Sequence, residues 1–148
     1  MSRPLSDHDL RRDALGQMAR APAALMAEAL PDLPPHDLLR APQTGTVMVR
    51  GRIGGTGAPF NLGEMTVTRA SVRLTATGTV GHGYVQGRSR EHALRAACAD
   101  ALGQDDPAAL RAIIAPLARA EAAARAAAAA AAASTKVEFF TLVRGEDE

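Results

Sequence analysis

A chain of 148 residues with a formal net charge of +1 is sized for one domain around a single hydrophobic core, and its near-neutral balance sets up no gross field for nucleic acid. The single cysteine, Cys98, excludes an internal disulfide and a thiolate cluster for zinc or iron–sulfur. The opening SRPLSDHDLRRDALG is too polar for a secretory signal, and the only long apolar run is alanine, too weakly hydrophobic to cross a membrane, so a cytoplasmic location with no membrane contact is expected.

Helix signals open the chain. Ser6 or Asp7 can cap a first helix, with Asp9 in its first turn and Leu10, Leu15 and Met18 as its apolar stripe. A second helix runs from about Pro22 to Leu30, with Leu25, Met26 and Leu30 on its buried side, and Pro31-Asp-Leu-Pro-Pro35 stops it. Residues 1–35 therefore read as a helical hairpin of the kind that covers a sheet or docks on a neighbour.

His36 to Pro42 reads as a connector, in part extended, and the sheet is expected within residues 44–88. Thr46 to Ile53 alternates as a strand, with Val47, Val49 and Ile53 on one face and Met48, Arg50 and Arg52 on the other. The glycines of Gly54-Gly-Thr-Gly57 make a turn before a second strand from about Gly63 to Leu74. One set of that strand is Thr66, Thr68, Ala70, Val72 and Leu74; the other is Met65, Val67, Arg69, Ser71 and Arg73. A third strand, about Thr79 to Gly87, puts His82, Tyr84 and Gln86, then Arg88, on one side. Its other side is Gly81, Gly83 and Val85, bare enough for a helix to approach closely.

Ser89 caps a helix predicted over Arg90 to Gly103, where Ala93, Leu94, Ala97, Cys98, Ala101 and Leu102 form a continuous stripe, and Gly103 reads as its stop. Cys98 within that stripe reads as an inert buried thiol. A further helix opens at Asp105-Asp-Pro107 and is expected to break at Pro116, after which Leu117 to Ser134 forms one long alanine-rich helix. Residues 136–145 return to strand character, with Phe139 and Phe140 pointing to opposite faces, so a C-terminal interface strand is expected. The expected fold is α+β: an antiparallel sheet of three to four strands with a helical hairpin, a central helix and a long alanine-rich helix.

Composition speaks for a thin core. The apolar fraction is 47%, but alanine supplies much of it and aromatics are only 3%, so a partner protein can complete part of the buried surface. Sixteen of the seventeen basic residues are arginine, whose planar fork suits carboxylates and phosphates; an Arg- and Ala-biased genome gives the same count. Arg50, Arg52, Arg69 and Arg73, with Arg88 at the end of the third strand, are candidates to converge on one polyanion such as a triphosphate, against the plainer reading of a solvated face. The glycine-rich loop lacks both the Gly-Lys-Ser/Thr of a P-loop and the following helix of a dinucleotide fingerprint. The four histidines show no metal-ligand spacing, and no catalytic residue or metal site is assigned; His82 next to Tyr84 on one strand face could assist acid–base work, against the plainer reading of a structural strand histidine.

Thr44-Gly45, Arg50-Gly-Arg-Ile-Gly-Gly-Thr-Gly57, Phe60-Asn-Leu-Gly-Glu64, residues 66–74 (TVTRASVRL), Tyr84-Val-Gln-Gly-Arg88 and Phe139-Phe-Thr-Leu-Val-Arg-Gly145 together resemble the PhnG family, a subunit of the bacterial carbon–phosphorus lyase system. The resemblance covers nearly the whole chain and is weakest in the N-terminal helices and the alanine tract. It implies a required, non-catalytic subunit of a core complex with two copies each of PhnG-, PhnH-, PhnI- and PhnJ-type proteins. Together with PhnI-, PhnH- and PhnL-type partners, such a subunit supports replacement of the adenine of ATP by a phosphonate, an α-D-ribose 1-methylphosphonate 5-triphosphate synthase activity in which ATP is the co-substrate of the complex. The family's nucleosidase chemistry is attributed to the PhnI type and its radical S-adenosylmethionine cleavage to the PhnJ type, so no cofactor is expected on this chain alone. Under this reading Phe139, Phe140, Leu142 and Arg144 are the partner-interface candidates. The alternative is a stand-alone nucleotide- or phosphonate-binding protein that uses the arginines of its sheet.

Overall fold

The computed structural model of the chain describes residues 6–137. They form α1 (Asp7–Arg20), α2 (Ala23–Ala29), β1 (His36–Arg52), a 3-10 turn (Ile53–Gly55), β2 (Pro59–Leu74), β3 (Val80–Gln86), α3 (Arg90–Asp105) and α4 (Pro107–Ser134). The strands make one antiparallel sheet in the order β1-β2-β3, so the fold is α+β as the patterning predicts. The expected C-terminal strand, with Phe139, Phe140, Leu142 and Arg144, falls outside the described residues.

Helices cover one face of the sheet and leave the other bare. On β2 the covered set is Thr68, Ala70, Val72 and Leu74, all buried, while Arg69 and Arg73 stand exposed on the opposite face. On β3 Gly81, Gly83 and Val85 are buried against exposed His82, Tyr84 and Gln86. The bare glycine face does what the sequence suggested. A Cβ on Gly83 would lie 2.1 Å from the carbonyl oxygen of Ala93, and one on Gly81 2.1 Å from that of Ala97, so α3 rests directly on the strand. Both its faces are occupied, because α1, α2 and α4 pack on its far side with Leu10, Met18, Met26, Leu110 and Leu117 buried. Fully burying a side chain such as Met18 or Met26 contributes about 1.5–3 kcal/mol each; for the alanines of α3 close approach stands in for bulk.

β2 starts at Pro59, not at about Gly63, because its pairing with β1 runs on to Arg52, and four further boundaries differ from expectation, each for a local reason. The segment read as a connector is the first half of β1, a 17-residue strand whose register with β2 slips at Leu38/Arg40 and again at Arg40/Gln43. Each slip inserts one extra residue on β1, which destroys the alternation by which a strand is recognised. At the other end Ile53 is not a strand residue but starts the 3-10 turn, where Gly54 and Gly55 take φ of 62° and 79°. Gly103 does not end α3: it lies inside the helix, where a Cβ would meet Leu110 Cδ2 at 2.6 Å. The stop is Asp106, which closes α3 through its N–H to Leu102 O and caps α4 by accepting from the N–H of Ala108 at 2.9 Å. Pro116 does not break α4 either. The carbonyl that loses its i+4 donor belongs to Ala112, an exposed residue, and strong alanine propensity with burial of Ile113, Ile114 and Leu117 offsets the roughly 3 kcal/mol cost of an interior proline.

Candidate functional site

The two slips on β1 decide which side chains share the uncovered face. Without them Arg40 would follow Leu38 toward the helices. With Leu39 as the extra residue, Arg40 pairs with Ser71, and Gln43 then pairs with Arg69. On the other side β3 places His82 opposite Ser71 and Tyr84 opposite Arg69. One row of the outer face is therefore Arg40–Ser71–His82, and the next is Gln43–Arg69–Tyr84. Arg73 follows, between Asp37 and Val80.

Hydrogen bonds fix much of this patch. Ser71 Oγ and His82 Nδ1 are hydrogen bonded at 2.9 Å, and Arg40 Nη1 donates to Gln43 Oε1 at 3.4 Å. Beneath the patch His82 is tethered by its backbone, whose N–H donates to Asp100 Oδ2 at 2.9 Å. Asp100 is buried on α3 and also accepts from Arg11 Nε at 2.8 Å and Nη2 at 3.0 Å; that bond to the carboxylate raises the pKa of Arg11. Gln104 donates to the carbonyl of Val80 at 2.8 Å. The exposed edge of β3 is thus held by two side chains of α3. Beside the rows, a concavity of about 370 Å³ opens between Gln43, Thr44, Thr46, Val67, Arg69 and Tyr84.

The five arginines singled out in the sequence are not gathered in one place. Arg69 and Arg73 share the outer face as read. Arg50 pairs with Asn61 and Arg52 with Pro59, so along β2 they lie about 25–33 Å from Arg69 at about 3.3 Å per residue. They also fall on the opposite face: Thr46 pairs with Thr66 on the helix-covered set, and Met48, Arg50 and Arg52 continue that face in exposed alternation with half-buried Val47, Val49 and Gly51. Arg88 follows Gly87, whose N–H bonds to Thr66 O, and so sits one strand away from Thr66. Arg40 was missed because its strand was missed; an arginine two residues before a proline, in an otherwise extended stretch, is the only signal it leaves.

A second feature lies on the same outer face. β3 pairs with β2 only from Val67 to Arg73, whereas β1 and β2 stay paired out to Arg52 and Pro59. The excess is a two-stranded arm about 25 Å long. A one-residue slip at Val49/Arg50 puts the extra residue on β2, so beyond it Phe60 rather than Asn61 shares the face of Val47, Val49 and Met65. A Cβ on Gly51 would touch Phe60 at 3.7 Å and Leu62 at 3.8 Å, which places both on that side. Phe60 is 39% and Leu62 65% exposed. The arm is amphipathic, with its apolar side uncovered.

The remaining titratable groups of note are structural. His92 is buried and its Nε2 is hydrogen bonded to Met18 O at 2.8 Å; burial holds its pKa below the usual value against that bond. Burial pushes the Cys98 thiol up to about 11. Among the described residues no three His, Cys, Asp or Glu side chains come together as a metal site, and no helix is long and apolar enough to cross a membrane.

Comparison with known proteins agrees with the motif reading. Residues 9–145 match the family described as phosphonate metabolism protein PhnG. A relative from Rhizobium meliloti (strain 1021), the alpha-D-ribose 1-methylphosphonate 5-triphosphate synthase subunit PhnG, is 49% identical over 142 residues, which span 93% of this chain and 90% of the relative.

Proposed function

We propose a function from one premise: the chain belongs to the PhnG family. It acts as a required, non-catalytic subunit of an α-D-ribose 1-methylphosphonate 5-triphosphate synthase. In that reaction a phosphonate takes the place of adenine on the ribose of ATP, and the ribose 5-triphosphate is otherwise kept. PhnI-, PhnH- and PhnL-type proteins are its partners in this step, within a cytoplasmic core that also holds a PhnJ-type subunit.

The observation that carries the reading is the 49% identity, over nearly the full length of both chains, to a subunit of such a synthase, and the arm supports it physically. A two-stranded ribbon with Val47, Val49, Phe60, Leu62 and Met65 on one side has no covering layer of its own among the described residues. An apolar face of that kind is stable in water when another protein covers it. Phe139, Phe140, Leu142 and Arg144 are proposed to add to the same contact. The alanine-rich core and lack of aromatic bulk fit a chain whose stability is completed by assembly.

The test is co-expression of the tagged chain with a PhnI-type protein. A stoichiometric complex is expected, and exchanging Phe60 and Leu62 for Ser is expected to abolish it while the helical signal of the chain is retained. A stable monomer that ignores the partner, with the double variant indistinguishable from wild type, would overturn the proposal.

A further inference from the structure

We propose that the Arg40–Ser71–His82 and Arg69–Arg73 groups form a binding site for a phosphate chain of two or three phosphoryl groups, with the rest of an organic phosphate in the adjoining concavity. The inference stands apart from the assembly proposed above.

The groups form a cross with Ser71 at its centre. Arg40 and His82 are its direct neighbours on the two flanking strands, each about 5 Å away. Arg69 and Arg73 are its same-face neighbours along β2, each about 7 Å away. His82 is bonded to the hydroxyl, and the three arginine side chains are long enough to extend over it from the other directions. Arg69 and Arg73 are about 13 Å apart at the backbone, more than a single phosphate bridges, and this selects for an extended anion.

Among the described residues, the cations of this face stand together without a carboxylate partner. In the helical layer Arg11, Arg12, Arg20, Arg95 and Arg125 each pair with a carboxylate, while exposed Arg90, Arg111 and Arg119, scattered over α3 and α4, do not. On the sheet, among the described residues, Arg69 and Arg73 have no ion-pair or hydrogen-bond partner, and Arg40 reaches only the neutral amide of Gln43. One carboxylate, Asp37, stands across from Arg73 in the register, yet no ion pair forms between them. Three guanidiniums around one residue of a sheet face offer charge-assisted hydrogen bonds that an extended anion can join. The platform is also rigid: the Ser71–His82 hydrogen bond and the tether of His82 to buried Asp100 hold the centre of the cross before any ligand arrives. The concavity of about 370 Å³ that shares Arg69 and Tyr84 with the cross falls in the size range of small-molecule sites.

Calorimetric titration of the full chain with inorganic tripolyphosphate, and separately with ATP, tests this. Both are expected to bind, with affinity that falls as salt rises. Equal affinity assigns the site to the phosphate chain alone; tighter ATP assigns the concavity to the remainder of an organic phosphate. R69A and R73A are each expected to weaken binding about tenfold or more, with R69K and R73K losing less and all four melting near wild type. R50A and R52A, which change exposed arginines on the far face of the arm, should change affinity less than about twofold. Absence of binding at millimolar ligand, or equal losses from the arm arginines, would overturn the site. Co-purification of the same variants separates the two proposals: R69A and R73A are expected to assemble normally. Loss of assembly in those variants, with no anion bound by the wild-type chain, would assign the cations to the partner, overturn this inference and leave the subunit reading intact.

Discussion

Replacing Gly83 by Ala puts the contact between sheet and α3 directly to the test. The new methyl carbon would stand 2.1 Å from the carbonyl oxygen of Ala93 and 2.8 Å from the nitrogen of Ala97. Comfortable contact for such heavy atoms begins near 3.5 Å, so α3 must retreat by more than 1 Å or β3 must bend away. Neither obstacle is a side chain that can rotate; both are backbone of a helix buried on its two sides. A gap of that size forfeits a quarter to a half of the dispersion energy along the contact, and here the contact includes Ala93, Ala97 and Ala101, whose burial depends on proximity. Overpacking costs about 1–3 kcal/mol in typical cores, and a clash with immovable backbone belongs at the top of that range. The opposing gain from a stiffer unfolded chain is below about 1 kcal/mol. Urea unfolding is therefore expected to show G83A less stable by about 2–3 kcal/mol, a large part of the 5–15 kcal/mol that holds a typical domain. G63A, with nothing within 4 Å of its Cβ, should stay within about 0.5 kcal/mol of wild type. A loss below about 1 kcal/mol in G83A would refute the claim that α3 sits on bare glycine.

Asp100→Ala removes the carboxylate that receives Arg11 and the His82 N–H; a loss of about 3 kcal/mol is expected, read as a lower urea midpoint at unchanged slope, and a change under about 1 kcal/mol would contradict that role. His92 has a folded pKa below its ordinary value of 6.5, so the unfolded chain binds the extra proton. Stability is then fully present above pH about 6.5 and declines as pH falls from there through the folded pKa. Unfolding free energies between pH 8 and 5 should show this fall in wild type and a weaker one in H92Q; a flat wild-type profile counts against it. Asp105, lowered by the hydroxyls of Thr79 and Thr77, acts with the same sign at lower pH. Cys98, with a thiol pushed up to about 11, should resist iodoacetamide at pH 8 and react at the rate of unfolding; rapid labelling of the native chain would show it accessible.

The legible parts of this fold were those set by local chemistry. Ser6 and Ser89 cap the helices as read, accepting from the N–H groups of Asp9 and His92, and the two faces of β2 and β3 follow their alternation. The alternation of a single strand, however, says nothing about which of its faces meets which face of the next. That choice belongs to the register, and it separates Arg50 and Arg52 from Arg69 and Arg73. Arg40 joins the outer face through an extra residue that no propensity marks, because a slip is settled by pairing energy along the whole strand. Gly103 and Pro116 misled for a related reason: each carries a strong local signal that packing against Leu110, and burial along α4, override. The apolar side of the arm was partly visible in Val47 and Val49, while the share of Phe60 and Leu62 depended on the slip at Val49/Arg50.

The alanines from Ala126 to Ala133 offer no side chain for recognition; what they carry is a distance and an angle. Each residue of α4 advances the chain by about 1.5 Å and turns it by about 100°. Whatever follows Ser134 is therefore aimed by the length of the tract. Removing two alanines swings it to the opposite side of the helix axis, whereas removing seven returns it to within about 20° of its original bearing at a distance some 10 Å shorter. A tract under no chemical constraint is in this way constrained by number, and its length variants should rank by phase and not by how many residues were lost.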